Sequence, residues 1–357
     1  MKNLRLLALV FVGLIVLAGC GGAAKPSTLY IYTWSDYTDP AVITQFEQEN
    51  NVKVVLDTFD SNEDMIAKVR VGKSGYDIVV PSDYAVEIMI KDGLLAQIDK
   101  NQLPNVKNMI PANMALYFDP DNTYSVPYLY GITGIAYNKK SFATPPTSWA
   151  TLFDSAQAQQ YKGKFSMLDD ERESPGAVLR FLGKSVNDTD AATLAQVQKI
   201  LTEQKPLVAA YNSNDVQRKL VSGEYVIAHA YNGMALQAVL GLGDEFQGNP
   251  DIGFVLPKEG GIVWQDNLAI LKDSPSIELA TKFIDFTMRP DVAAKNAEYV
   301  NYLTPNAEAV KQLPKAVQDL YAQGFAPDAE MYKRLERARV TPGSSAFTNL
   351  WTAVKGQ

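Results

Sequence analysis

From Thr28 onward, short runs of β-branched and aromatic residues alternate with stretches of helical period. No other feature of the chain restricts its fold as much. TLYIYTW (28–34) predicts a strand. DPAVITQFEQEN (39–50) predicts a helix with Asp39 as N-cap, Pro40 at the first helical position, and Val42, Ile43 and Phe46 on one face. VKVVLDTF (52–59) predicts a second strand. SNEDMIAKVRVG (61–72) predicts a helix opened by a Ser-x-x-Asp capping pattern and closed at Gly72. YDIVVPS (76–82) predicts a third strand, apolar on both faces as a buried parallel strand requires. Strands alternating with helices imply an α/β chain on a mostly parallel sheet with helices on both sides.

Past YSVPYLYGITGIAYNKK (124–140) the pattern restarts. Helical periods surround residues 174–184, 193–204 and 214–223, with a strand at EYVIAHAY (224–231) and a strand pair within 251–271. Further helices are predicted at 276–288, 290–300 and 344–356. A chain of 357 residues without an internal repeat usually divides into two domains.

The first twenty residues are read apart from the fold. MKNLR supplies Lys2 and Arg5, Leu6 to Ala18 is apolar, and LAGC (17–20) follows. The run is below the ~20 apolar residues of a membrane span, so residues 1–19 read as a secretory signal. Cys20 is the chain's one cysteine, so no disulfide forms within it and the core must hold the fold. LAGC resembles the lipobox of bacterial lipoproteins, which implies that Cys20 becomes a lipid-modified N-terminus. The plainer alternative is a signal peptide with an incidental cysteine. Residues 20–27 read as a flexible tether. Cleavage removes two bases and no acid, leaving 338 residues with net charge −9. An acidic surface argues against nucleic acid and suits a cationic partner.

Nucleophilic catalysis with a histidine base is poorly served. The one histidine, His229, alternates with apolar residues in YVIAHAY and reads as a core residue. There is no His/Cys cluster for a metal, no G-x-S-x-G elbow and no P-loop. The carboxylates of LDDERES (168–174) leave glycoside hydrolysis open as a rival, but nothing else supports an enzyme.

Four clusters fall at strand ends, where open α/β sheets hold their ligands: TWSDY (33–37), PSDY (81–84), AYNG (230–233) and VWQD (263–266). Trp34, Tyr84, Tyr231, Trp264 and Tyr302 lie in turn-like or strand-end contexts, with Asp36, Asp170, Glu173 and Asp266 near them in sequence. An ammonium over an aromatic face gains roughly 0.5–2 kcal/mol, and a carboxylate partner adds a charge-assisted hydrogen bond. Aromatic walls with acids at each end fit a slender apolar chain with positive termini. Each residue also has a plainer reading: Asp36 and Asp266 as turn caps, DDERE as a solvated loop, Ser82 and Ser213 as helix N-caps. Joint placement favours a two-lobed extracytoplasmic binding protein for a cation.

The chain resembles the bacterial spermidine/putrescine-binding proteins that feed ATP-binding-cassette polyamine importers. The carriers are YTWSDY, FDSNEDM, YDIVVPSDY, FDPDNTYSVPY, SWATLFD, YKGKFSMLDDERE, PKEGGIVWQDNLAI, RPDVAA and YLTPN, in order through nearly the whole mature chain. The resemblance implies a type II periplasmic-binding-protein fold, two α/β lobes joined by strands that cross near 128–133 and 255–260. Lobe 1 would span 28–130 plus 258–303, and lobe 2 131–257 plus 304–357.

It also implies a ligand set. Trp34, Ser35 and Asp36 would supply a wall, a hydroxyl and an anion at one end, with Ser82 and Tyr84 beside them. Asp170 and Glu173 would hold ammonium groups from lobe 2, Ser213 would add a hydroxyl, Trp264 and Asp266 a central wall and carboxylate, and Tyr302 a further wall. Two departures stand out. Tyr231 replaces a tryptophan of spermidine binders, and residues 332–346 offer no counterpart to a glutamine contact. The resemblance implies no cofactor or metal, a monomer, a permease partner, and membrane contact through lipidated Cys20 alone. The same fold with another cargo, such as an amino acid, a ferric ion or an alkylamine, is the nearest rival, and a receptor-linked sensor another.

Overall fold

The computed structural model describes residues 27–243 and 246–356. The expected signal peptide 1–19, lipidation at Cys20 and the tether up to residue 26 lie outside the described residues. Twelve strands form among the described residues: β1 (Thr28–Trp34), β2 (Lys53–Phe59), β3 (Ile78–Val79), β4 (Ser125–Asn138), β5 (Phe165–Met167), β6 (Ala210–Tyr211), β7 (Ile227–Tyr231), β8 (Gly241–Leu242), β9 (Phe246–Gln247), β10 (Ile252–Val255), β11 (Gly261–Ile270) and β12 (Leu335–Glu336). Local chemistry starts the first helices as expected. The Asp39 side chain accepts from Ala41 N ahead of helix Pro40–Asn50, and Ser61 accepts from Asp64 N ahead of helix Asn62–Arg70.

Ten strands join in one sheet, in the order β2-β1-β3-β11-β4-β7-β5-β6, with β10 beside β4 and β12 beside β11. The flanks are parallel: β1 with β2 and β3, β5 with β6 and β7. The centre is antiparallel, because β4 runs against β7 and β10, and β11 against β3 and β4. The expectation of a mostly parallel sheet therefore holds at the flanks and fails at the centre. Parallel neighbours need a crossover helix. β4 and β11 instead carry the chain from one half to the other and back, and so oppose each other. β4 is 14 residues long and changes partner from β11 to β7 between Ile132 and Thr133.

Apolar packing follows that division. Leu29, Phe46, Ile78, Leu129, Leu268 and Phe283 pack together on one side of the first flank, and Tyr32, Met65, Val79 and Met89 on the other. The second flank packs Trp149, Phe165, Leu179, Val197 and Phe347 on one side, and Leu168, Leu220, Tyr225, Leu236, Phe254 and Phe325 on the other. His229 lies in this core at 0 % exposure, edge-on to Trp149, and burial pushes its pKa down to about 3. The segment after Tyr302 stays with the first half: Ala309 packs on Ala293 and Ala294, and Leu313 and Val317 on Ala297. No helix among the described residues is long and apolar enough to cross a membrane.

Candidate functional site

All twelve candidate ligand residues border one cavity of ≈ 440 Å³, where the carboxyl ends of the flanking strands face each other. Trp34, Ser35 and Asp36 follow β1. Ser82 and Tyr84 follow β3 and open helix Asp83–Lys91. From the second half come Asp170 and Glu173 after β5, Ser213 after β6 and Tyr231 at the end of β7. Trp264 and Asp266 lie within β11, and Tyr302 just beyond helix Pro290–Val300.

The structure decides several double readings. The Ser82 side chain makes no capping bond to its helix, and its hydroxyl donates to Asp266 Oδ1 at 2.6 Å. Ser213 Oγ accepts from Asp169 N at 2.9 Å, ahead of a helix that starts at Val216. Asp266 caps no turn, since it lies in a strand at a register shift, is 5 % exposed, and accepts a second bond from the Tyr37 hydroxyl at 2.5 Å. The DDERE segment divides. Asp169 accepts from Lys355 at the cavity's edge and Glu171 accepts from Thr348 away from it, while Glu173 is 6 % exposed. Asp36 adopts a left-handed backbone (φ 53°) at the rim.

Tyr231 and Tyr302 stand edge-on to Trp264 with ring centroids 5.5 and 5.4 Å away, and Tyr302 reaches Tyr37 at 5.6 Å. Trp34, also on the cavity lining, is fixed by its Nε1 donating to Val80 O at 2.9 Å and by Phe59 at 4.4 Å. Two glycines make this panel possible. A Cβ on Gly131 would come within 2.4 Å of Trp264 Cζ2, and one on Gly233 within 2.2 Å of Tyr302 Cδ1.

Burial raises the pKa of every acid of this panel for which a shift is resolved. It lifts Asp266 to about 7 against the hydrogen bonds from Ser82 and Tyr37. Burial first, and then the charge of Asp170, holds Glu173 well above the usual carboxylate range, and its Oε2 has no hydrogen-bond partner. Asp170 is raised by burial although it accepts from the Arg172 and Glu173 amides at 2.7 and 2.8 Å. Arg172 does not neutralise them by contact. Its guanidinium bonds Arg339 O and Asn187 Oδ1 and lies 4.3 Å from the Phe347 ring centroid. A cavity so lined rewards an incoming cation, which relieves buried, mutually repelling carboxylates. No group of three or more His, Cys, Asp or Glu among the described residues is placed to hold a metal ion.

Several lining residues escaped the sequence reading. Tyr37 stands inside the TWSDY cluster but carried no assigned role. Asn62, which opens FDSNEDM's helix, donates to Ser82 Oγ and Tyr84 Oη at 3.0 and 3.2 Å. Next to it Glu63 accepts from the Tyr84 hydroxyl at 3.0 Å. Burial, then the charge of Asp170, raises its pKa to about 7, although one side of Glu63 stays open to solvent. Asp83 and Ala338 also border the cavity. Ala338 lies in the stretch 332–346, for which the sequence named no contact, and no local signal marked it.

Known proteins share this architecture. The sequence profile of the bacterial extracellular solute-binding proteins matches residues 41–322. The spermidine/putrescine-binding periplasmic protein of Escherichia coli K12 is 40% identical over 333 residues, covering 92% of each chain. A Listeria monocytogenes structure, provisionally assigned to a spermidine/putrescine ABC transporter, superposes with TM-score 0.85 at 38% identity, over 92% of this chain and 99% of that one. A lipoprotein of Treponema pallidum superposes with TM-score 0.79 at 30% identity, over 93% of this chain and all of the other (100%).

Proposed function

We propose a cargo for a chain that belongs to the bacterial extracellular solute-binding protein family: a linear polyamine, putrescine or spermidine, captured between two lobes and handed to the membrane permease of an ABC importer. The observation that carries this reading is the pair of buried acids at the aromatic panel, Asp266 and Glu173, whose charge no contacting base balances. An ammonium at each supplies the missing charge, and the rings of Trp264, Tyr231, Tyr302 and Trp34 cover the methylenes between, at roughly 25 cal/mol per Å² of apolar surface buried. An α-amino acid would bring a carboxylate against the same acids. The relatives named for spermidine and putrescine support the same cargo.

All twelve residues named from sequence are proposed as ligand contacts. Ligand bonds to both halves favour the closed arrangement, a population shift about β4 and the 256–260 connection. The lobes are proposed as 28–130 plus 258–317, and 131–257 plus 318–357. Residues 304–317 then move with the first lobe, on whose helix Pro290–Val300 they pack. The protein acts outside the cytoplasm, as its periplasmic relatives do. Its anchor is proposed to be a lipid on Cys20, in keeping with LAGC and with a lipoprotein of the same fold, and the mature form is proposed to be a monomer.

Titration calorimetry of the chain lacking residues 1–20 tests this, with putrescine, cadaverine, spermidine, spermine, lysine and a neutral sugar. The four apolar clusters lie within 29–354, so this form keeps its core. Micromolar or tighter binding of one polyamine with lysine silent is expected. Absence of heat with every polyamine sinks the reading.

A further inference from the structure

The segment RLERAR (334–339) joins the two halves beside the cavity. It is fastened to the second half, to the connection behind it and to the start of β11. β12 pairs with Gly261 and Ile262, and Arg334 donates to Pro257 O at 2.9 Å. Glu336 accepts from Val186 N at 2.7 Å, while Asn187 donates to Arg337 O and accepts from Arg339 N at 2.9 and 2.8 Å. It then reaches the first half. Tyr117 donates its hydroxyl to Ala338 O at 2.6 Å, and Arg337 Nη1 lies 3.1 Å from Asp83 Oδ2, with side chains 15 % and 2 % exposed.

Asp83 borders the cavity, and its other oxygen accepts from Tyr84 N at 2.9 Å. A carboxylate this buried persists as an anion only when paired, and its partner comes from across the cleft. The pair therefore does two things. It bridges the halves, and it removes one negative charge from the wall that also carries Asp36, Asp60, Asp169, Asp170, Glu173 and Asp266, with Arg172 beside them.

We propose that Arg337 is a specificity-determining residue: by pairing with Asp83 it withholds one carboxylate from the ligand and so limits how many ammonium groups the cavity favours. This rests on the polyamine reading. Arg337→Gln bares Asp83 toward the cavity. A trication gains a partner there that a dication, already matched to the remaining acids, does not need. Asp83→Asn does the opposite, leaving an unmatched guanidinium at the wall. Losing the bridge weakens closure for all ligands alike, so the ratio of affinities is the readout.

Calorimetry with putrescine, spermidine and spermine on the wild type, R337Q, R337K, D83N and the R337Q/D83N double variant tests this. The spermidine-to-putrescine affinity ratio is expected to rise about tenfold in R337Q and fall about tenfold in D83N, one charged contact's worth. It should return to the wild-type value in R337K and in the double variant. D83N keeps the test alive should R337Q fail to fold. Ratios unchanged in both single variants, or a rise that persists in the double variant, overturn the proposal. A wild type silent to all three amines overturns the polyamine reading itself, an outcome distinct from an unaltered ratio in protein that binds.

Discussion

Asp266 sits where β11 slips its register against β4, between Asp266 and Asn267. The irregularity places a carboxylate inside a strand and aims it at the cavity, as bulges beside functional sites do. In Asp266→Asn one of the two oxygens that accept from Ser82 and Tyr37 becomes an amide NH2, so the charge and one of these acceptors are lost together. Polyamine affinity is expected to drop by ~1.5–3 kcal/mol, roughly ten- to a hundredfold, measured by calorimetry. Protonation acts in the same direction. Because burial raises Asp266 to about 7, the group is largely neutral at pH 5, and a ligand ammonium must displace its proton. Affinity should climb from pH 5 to pH 8 and then level off. A pH-independent affinity in the wild type would contradict this assignment, while Asp266→Asn should flatten the profile without abolishing it, since burial also raises Glu173 at the same cavity.

At the scale of elements, the aromatic panel depends on residues that have no side chain. Gly131 in β4 and Gly233 in the first turn of helix Asn232–Leu240 leave room for the Trp264 and Tyr302 rings. Gly233→Ala should push Tyr302 toward the cavity, at a strain of about 1–3 kcal/mol that appears as lost affinity with the fold retained. Parallel calorimetry and thermal melting separate this from unfolding: full affinity with a lowered melting temperature would mean the strain went elsewhere. Helix starts were legible because capping is local, as at Asp39 and Ser61. Ser82 shows the limit of that legibility. It occupies an N-cap position but spends its hydroxyl on Asp266, 184 residues away.

At the scale of the whole molecule, the ligand's charge is set against that of the empty cleft. Asp266 and Asp83 have pKa values raised by burial, to about 7 and about 6, above the ordinary 3.8. Between the ordinary and raised values the folded chain holds protons that the unfolded chain has released. Stability of the ligand-free protein should therefore fall as pH rises from 4 to 7. Saturating polyamine should cancel the share of that fall due to Asp266, because it binds the folded form with this acid deprotonated, while the share of Asp83, paired with Arg337, should remain. Melting curves across this window with and without ligand check both signs. Closure is a separate prediction: the radius of gyration from solution scattering should decrease on adding polyamine, and in Asp266→Asn only at higher concentrations.

Local chemistry written into the chain was enough for the alternating elements, the helix caps at Asp39 and Ser61 and the core histidine, and the resemblance to a known family supplied twelve of the residues that border the cavity. Each of these follows from neighbours in sequence, or from motifs that keep their spacing. Tertiary structure alone decided which way the central strands run, that Ser82 and Tyr37 serve Asp266, that Glu63 faces the charge of Asp170, and that Arg337 crosses to Asp83. These depend on groups tens to hundreds of residues apart, brought together by the two crossings between halves. Burial at that meeting point turns common carboxylates into costly ones, and no window of sequence contains it.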